Sequence, residues 1–131
     1  MSLLLDVNVL IALAHGGHAE HVRVLRWFAS LIGSEERLAT CAITELGFVR
    51  VSVQAGFEND IPGAVETLEG LKETSKVPFV LLPDGLSAKD LPAYVLSAKQ
   101  VTDGHLLRLA DSMSMQLVTL DKRIPDAYVI P

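Results

Sequence analysis

Four carboxylates stand where apolar segments of the chain end or begin. Asp6 follows the apolar run 3–5, and Asp121 follows the apolar segment 116–120 in the same way. Glu45 and Asp103 lie instead in the opening turns of two segments with helical spacing. Carboxylate oxygens are the ligands that Mg²⁺ and Mn²⁺ prefer. If these side chains meet, they predict a metal site that activates water and neutralises a phosphate.

The elements around these acids predict that they do meet. The predicted strands are 3–5, 37–41, 77–82, 116–120 and 128–130. The predicted helices follow Asp6, cover 19–32 and 42–51, begin after Asn59 or Asp60, cover 87–99, and begin after Thr102. This alternation predicts a mostly parallel sheet with helices on both faces. In such a sheet, strand carboxyl ends and helix amino ends share one edge, where all four acids can converge.

Helical spacing also predicts which faces are buried. The faces expected in the core comprise Val22, Leu25, Trp27, Phe28, Leu31 and Ile32; Ala42, Leu46, Val49 and Val53; and Ile61, Val65, Leu68 and Leu71. The charges opposite the last face are expected to be solvated and without function; they are Glu66, Glu69, Lys72, Glu73 and Lys76. His15, His18 and His21 are expected to be solvated rather than metal ligands.

Composition bounds the class of protein. The chain has 131 residues, half of them hydrophobic, which suits a single packed domain over 1–131. A net charge of −5 argues against coating nucleic acid by bulk charge. The single cysteine, Cys41, cannot form an intramolecular disulfide and is expected to be buried. With no signal peptide or membrane span apparent, a cytoplasmic protein is expected.

The segments around the four acids resemble those of PIN-domain ribonucleases, and most closely the VapC-type toxins of bacterial toxin–antitoxin pairs. The matching segments are LLDVNVLI at 4–11, ITELGFVR at 43–50, TDGHLL at 102–107 and VTLDKRI at 118–124. Each motif alone is weakly specific, but the ordered set spans the chain. The resemblance implies a three-layer α/β/α sandwich, Mg²⁺-dependent (or Mn²⁺-dependent) endonucleolytic cleavage of RNA, and inhibition by an antitoxin.

The resemblance also implies a role for each site residue. Asp6 and Asp103 would be the principal metal ligands, and Asp121 would complete the site directly or through water. Glu45 would orient metal-bound water. Asn8 and Thr119 match supporting polar positions. Gly104 departs from the family pattern, because alanine is expected to fit comfortably there.

Partners follow from the remaining surface. Arg50, Lys122 and Arg123 flank the acidic motifs and are candidates for contacts with RNA phosphates. Large apolar residues on the second and fourth helices predict a homodimer, and the resemblance points the same way. The resemblance and the uncompensated acids also imply an antitoxin that lays an apolar helix into a groove formed by these helices and projects a basic residue at the acidic site.

Other functions are also compatible with an aspartate after the first strand. A haloacid dehalogenase-type enzyme would have a second acid where Asn8 stands. A phosphoacceptor receiver would need an aspartate after its third strand, where Asp84 is available, and a later strand-end lysine that is not evident. A binding module without catalysis is the third alternative.

Overall fold

The computed structural model describes residues 2–131 of the chain. Within them the chain forms five strands and five α-helices. In order they are β1 (Ser2–Leu5), α1 (Val7–Ala14), α2 (His21–Leu31), β2 (Arg37–Thr40), α3 (Ala42–Gln54), α4 (Ile61–Thr74), β3 (Phe79–Leu81), α5 (Val101–Ser112), β4 (Gln116–Thr119) and β5 (Tyr128–Val129). No helix in this part of the chain is long and apolar enough to cross a membrane.

The first strand lies at the centre of the sheet. The strand order is β3-β2-β1-β4-β5 and every pairing is parallel, with Leu4 opposite both Ala39 and Leu117. The chain builds outward from β1 to β3 on one side and later to β5 on the other. A reversal of this kind leaves a crevice beyond the carboxyl ends of the strands. Asp6 directly follows β1, and Asp121 follows β4 after one intervening residue, on the two sides of that crevice.

Helices cover both faces of the sheet, as predicted. Successive residues of a strand point to opposite faces. Leu5 accordingly joins a buried cluster that includes Leu10, Phe48 and Leu68 of α1, α3 and α4. Leu4 joins a second cluster that includes Leu106 and other residues of α5. The predicted three-layer α/β/α sandwich with a parallel sheet is therefore confirmed.

The predicted core face of α3 is wrong at Ala42 and Leu46, which are exposed, whereas Val49 is half-buried against the core. Leu46 is 68% exposed, and the buried residues are Thr44, Gly47, Phe48 and Ser52. The two polar residues tolerate burial because the Thr44 and Ser52 hydroxyls are hydrogen-bonded. Gly47 is buried because a Cβ there would lie 2.6 Å from Val7 Cγ2, so α1 and α3 approach closely. Apolar spacing alone does not detect a face built from small and hydrogen-bonded residues.

Two other helices expose residues that were expected in the core. Val22 and Leu25 of α2 are 65% and 44% exposed, while Val24 and Trp27 are buried. On α4, the exposed pair is Ile61 and Val65, and the buried pair is Ala64 and Leu68. Both helices thus carry apolar side chains on the outer surface of the sandwich.

The helix predicted over 87–99 is not formed. The segment contains two single-turn 3₁₀ helices, Ala88–Asp90 and Ala98–Gln100. Leu91 precedes Pro92 and has an extended backbone, φ −57° and ψ 138°, as steric contact with a following proline favours. The second 3₁₀ helix runs directly into α5, which begins at Val101, so the predicted capping role of Thr102 is also wrong.

Candidate active site

Asp6 is fixed at the junction of β1 and α1. Its side chain is only 6% exposed, and both carboxylate oxygens accept hydrogen bonds. Oδ1 accepts from the Val7 N–H at 2.7 Å, and Oδ2 accepts from the Thr119 hydroxyl at 2.7 Å. Burial raises the pKa of Asp6, hydrogen bonds from Thr119 and Val7 act against this, and the charge of Asp121 raises it further. Asp6 therefore both caps α1 and presents a partly desolvated carboxylate.

Asn8 and Thr119 tie the ends of β1 and β4 together. Asn8 Nδ2 donates to Thr119 Oγ1 at 3.3 Å, and Asn8 Oδ1 accepts from the Leu120 N–H at 3.2 Å. Thr119 Oγ1 also accepts from the Asp121 N–H at 3.0 Å. These bonds join Asp6 to the backbone that carries Asp121, so the two acids are held in one arrangement.

Asp103 lies in the first turn of α5. Partial burial raises the pKa of its carboxyl, and the negative charges of Asp6 and Asp121 raise it further, although Arg123 acts in the opposite direction. The expectation about its neighbour Gly104 is wrong. A Cβ at Gly104 would overlap a methyl group of Val95, so alanine does not fit unless the Val95 side chain shifts.

Asp121 is the aspartate with a positive partner. Arg123 Nε donates to Oδ1 at 3.0 Å and Nη2 donates to Oδ2 at 3.0 Å, an arrangement that engages both oxygens. The Arg123 backbone N–H adds a third bond at 2.9 Å. The bond from the Arg123 side chain is the main reason that the pKa of Asp121 lies below its usual value.

The three aspartates line one cavity of about 380 Å³ at the carboxyl edge of the sheet. Asn8, His18 and Arg50 also line it. Arg50 is exposed, and its nearest described side-chain partner is Gln54 Oε1 at 3.4 Å. Lys122 is exposed beside Asp121. Of the residues predicted to contact RNA, Arg50 faces the cavity and Arg123 is engaged with Asp121.

Glu45 does not line that cavity. Its Oε2 accepts a hydrogen bond from the Thr40 hydroxyl at 2.6 Å and forms an ion pair with Lys72 Nζ at 2.8 Å. Glu45 and Lys72 are about 20% and 19% exposed. The expectation that Lys72 is a solvated charge without a role is therefore wrong, since it is the counter-ion of the fourth acid.

The donor chemistry of the cavity suits a hard divalent cation. All three acids supply oxygen, and the mutual repulsion that raises the pKa of Asp103 is the kind that such an ion relieves. In residues 2–131, however, no three His, Cys, Asp or Glu side chains are already drawn together at ligand distances.

One of the three histidines, His15, differs from its predicted solvated state. His15 is only 7% exposed and stacks between Phe48 and Phe57, with ring centroids 5.4 and 4.9 Å away. Its Nε2 lies 2.9 Å from Ser52 Oγ, and burial lowers its pKa. His18 lines the acidic cavity, and its Nδ1 accepts the Glu20 N–H, which places the ring hydrogen of a neutral imidazole on Nε2. No local sequence pattern distinguishes these positions.

Comparison with known proteins supplies the context of the site. A family model described as PIN domain matches residues 3–130. The curated protein Ribonuclease VapC38 of Mycobacterium tuberculosis is 37% identical over 124 residues, which cover 90% of this chain and 84% of that protein. Ribonuclease VapC29 of the same species is 38% identical over 122 residues, covering 92% of this chain and 86% of that protein.

Solved structures share the fold at low sequence identity. The crystal structure of VapC20 from M. tuberculosis, described as a Sarcin-Ricin loop cleaving toxin, matches with a TM-score of 0.69 and 13% identity over 98% of this chain and 99% of that one. VapBC-1 from nontypeable Haemophilus influenzae matches with a TM-score of 0.60 and 18% identity, over 98% and 96% of the two chains.

Proposed function

The chain belongs to the PIN-domain family, and we propose that it is a VapC-type endoribonuclease whose divalent metal ion is held by Asp6, Asp103 and Asp121. The observation that carries the proposal is the convergence of these three aspartates, from three separate elements, on one cavity at the sheet's switch point. The relatives that share over a third of the sequence are named as ribonucleases.

Each residue has a proposed task in hydrolysis. A bound Mg²⁺ or Mn²⁺ supplies a water of lowered pKa and neutralises charge on the phosphate. Asp6, fixed by Val7 and Thr119, and Asp103, at the start of α5, are the principal ligands, and Asp121 completes the set. Asn8 and Thr119 keep Asp6 and the Asp121 backbone in register. Glu45, the fourth acid, would orient the water supplied by the metal ion, which would require Lys72 to release its carboxylate.

The proposed substrate is RNA. Arg50 stands at the acidic cavity, and Lys122 and Arg123 follow Asp121, so all three can contact phosphates on either side of the scissile bond. Arg123 would then exchange Asp121 for a phosphate oxygen, which its planar guanidinium binds in a similar two-point manner.

Metal-dependent cleavage of a mixed RNA pool tests this function. We expect cleavage with Mg²⁺ or Mn²⁺, none with EDTA, and none from Asp6→Asn. Asp111→Asn, which removes an exposed acid on α5, should retain the wild-type rate. Cleavage that persists in EDTA, or that Asp6→Asn retains, would contradict the assignment. Of the alternatives, family membership excludes the dehalogenase and receiver folds, and absence of metal-dependent cleavage would favour a binding module.

The proposal includes a protein inhibitor and a second copy of the chain. Two of the similar structures are of VapBC assemblies, from Rickettsia felis and H. influenzae. The exposed apolar residues of α2 and α4 offer the contact surface; they are Val22, Leu25, Ile61 and Val65. We propose that both proteins are cytoplasmic. We expect the product of an adjacent reading frame to copurify with this protein and to block its cleavage of RNA. Light scattering that shows a monomer at high micromolar concentration would contradict the homodimer.

A further inference from the structure

A second cavity opens on the other side of the aspartates. Its volume is about 220 Å³, below the roughly 300–1,000 Å³ typical of pockets that enclose a whole small molecule. Asp103, Asp121 and Arg123 form one wall. The segment before α5 forms the other wall with Tyr94, Lys99 and Gln100. The two cavities therefore share Asp103 and Asp121, so a strand whose phosphate lies at the acids can extend into the second one.

The wall formed by the segment before α5 is docked on the site rather than free. Because Gly104 has no side chain, Val95 and Pro92 pack directly against the start of α5, next to Asp103. Gln100 Oε1 accepts the Leu96 N–H at 2.8 Å and holds the following turn. This packing explains why glycine suits position 104.

Tyr94 has a hydroxyl group with an unmet hydrogen bond. The oxygen is buried and has no hydrogen-bond partner among residues 2–131. Burial raises the pKa of Tyr94, and the negative charge of Asp103 raises it further. A buried hydroxyl left without a hydrogen-bond partner is unfavourable. A ligand in the cavity would accept this hydrogen bond once the Tyr94 side chain turns toward it.

The balance of positive and negative side chains differs between the two cavities, and this affects how well each can bind an RNA backbone. In the first, three aspartates face one cation, Arg50. In the second, Asp103 and Asp121 face two cations, Lys99 and Arg123. A polyanion is repelled less by the balanced cavity.

We propose that the second cavity binds one nucleotide of the RNA strand next to the scissile phosphate, with the Tyr94 hydroxyl as hydrogen-bond donor and Lys99 facing the phosphate. This inference rests on the proposed ribonuclease function and makes Tyr94 and Lys99 substrate-positioning residues. They would influence which RNA is cut, because a nucleotide that fits the cavity places its neighbour at the acids.

Binding of a short single-stranded RNA of mixed sequence tests the proposal, with Asp6→Asn as the non-cleaving parent. Adding Tyr94→Phe should weaken binding about threefold to tenfold, the value of one hydrogen bond. Adding Lys99→Gln should weaken it and lower its salt dependence by about one phosphate contact. The matched controls Tyr128→Phe and Lys89→Gln should bind like the parent. Tyr94→Phe should melt no lower than the parent, because its hydroxyl bonds to no described residue.

The outcomes separate this proposal from the function on which it rests. If the wild-type chain cleaves RNA and both additional variants bind like their parent, the nucleotide site is overturned and the ribonuclease function stands. If Tyr94→Phe melts lower and binding falls only in proportion to unfolding, Tyr94 is structural and the site is again overturned. If the wild-type chain cleaves no RNA under any metal condition, the function fails, and the proposal fails with it.

Discussion

Asp103 and Glu45 both lie in the first turn of a helix at the carboxyl edge of the sheet, yet the charges beside these two carboxylates have opposite signs. Glu45 has a cation at 2.8 Å and a hydroxyl donor at 2.6 Å. Asp103 has two carboxylates as its main electrostatic neighbours, and these raise its pKa. An acid that the fold neutralises contributes to stability, whereas an acid left among like charges is available for a cation. Position alone does not distinguish the two.

The largest expected effect is on Asp103. Asp103→Asn keeps the side-chain shape and removes a charge that its neighbours repel, so the apo protein should be as stable as wild type or slightly more stable. Loss of a principal ligand should lower RNA cleavage by at least about 100-fold. Mg²⁺ should raise the Tm of wild type by mass action and raise that of the variant less. Paired melts and cleavage assays measure both, and a variant that cuts at the wild-type rate contradicts the site.

Lys72→Met would remove the cation beside Glu45 and so leave this carboxylate uncompensated, as Asp103 is. The variant leaves a partly buried carboxylate without its cation, which should lower the free energy of unfolding by about 1–2 kcal/mol. Urea melts measure that loss. Lys76→Met, at an exposed lysine beyond the end of α4, is the control and should change little. If Glu45 can reach the metal site once released, Mg²⁺ should raise the Tm of Lys72→Met more than that of wild type.

The double variant Glu45→Gln, Lys72→Met measures the coupling between these two charges, and its expected effect on stability is smaller. Glu45→Gln alone leaves Lys72 with only the more distant carboxylate of Glu69, at 3.5 Å, and Lys72→Met alone leaves Glu45 without a cation. Removing both charges leaves neither group uncompensated. We therefore expect the double variant to be more stable than the sum of the single losses predicts, by about 1 kcal/mol. Strict additivity would show that the 2.8 Å contact contributes no coupling in solution.

The sequence was sufficient to predict the sheet and the positions of its acids. Strands β1 and β4 are short apolar runs that each end at an aspartate, and parallel topology places such ends on one edge. Local pattern also placed Asp103 in the first turn of α5. These features depend on neighbours within a few residues, where hydrophobic periodicity is informative.

The features that were missed depend on residues distant in the chain. Lys72 lies 27 positions from Glu45, and no periodicity connects them. Ser52 is buried because of His15, 37 positions earlier. Gly104 is required by Val95, in a segment that Pro92 keeps out of a regular helix. In each case a polar or small residue is fixed by one specific tertiary contact, which composition and spacing do not encode.

The smallest predicted effect is on the pH dependence of stability in EDTA. Because the pKa of Asp103 is raised in the folded state, the folded chain binds more protons than the unfolded chain above the ordinary value of 3.8. Its contribution to stability is therefore present below 3.8 and is lost as pH rises through the folded pKa. Asp121, with a lowered pKa, has the opposite sign and loses its contribution as pH falls below 3.8. The lowered pKa of His15 likewise makes stability rise with pH below 6.5.

Comparing wild type with Asp103→Asn isolates one group from these opposing trends. The variant keeps Asp121 and His15, so their contributions largely cancel in the difference between the two unfolding free energies. That difference should shift in favour of the variant as pH rises above 3.8, and saturating Mg²⁺ should shift it back toward wild type. Urea melts at a series of pH values, with EDTA or Mg²⁺, measure it. A difference that does not change with pH would mean that Asp103 is compensated in solution as Glu45 is, and the contrast between the two acids would not hold.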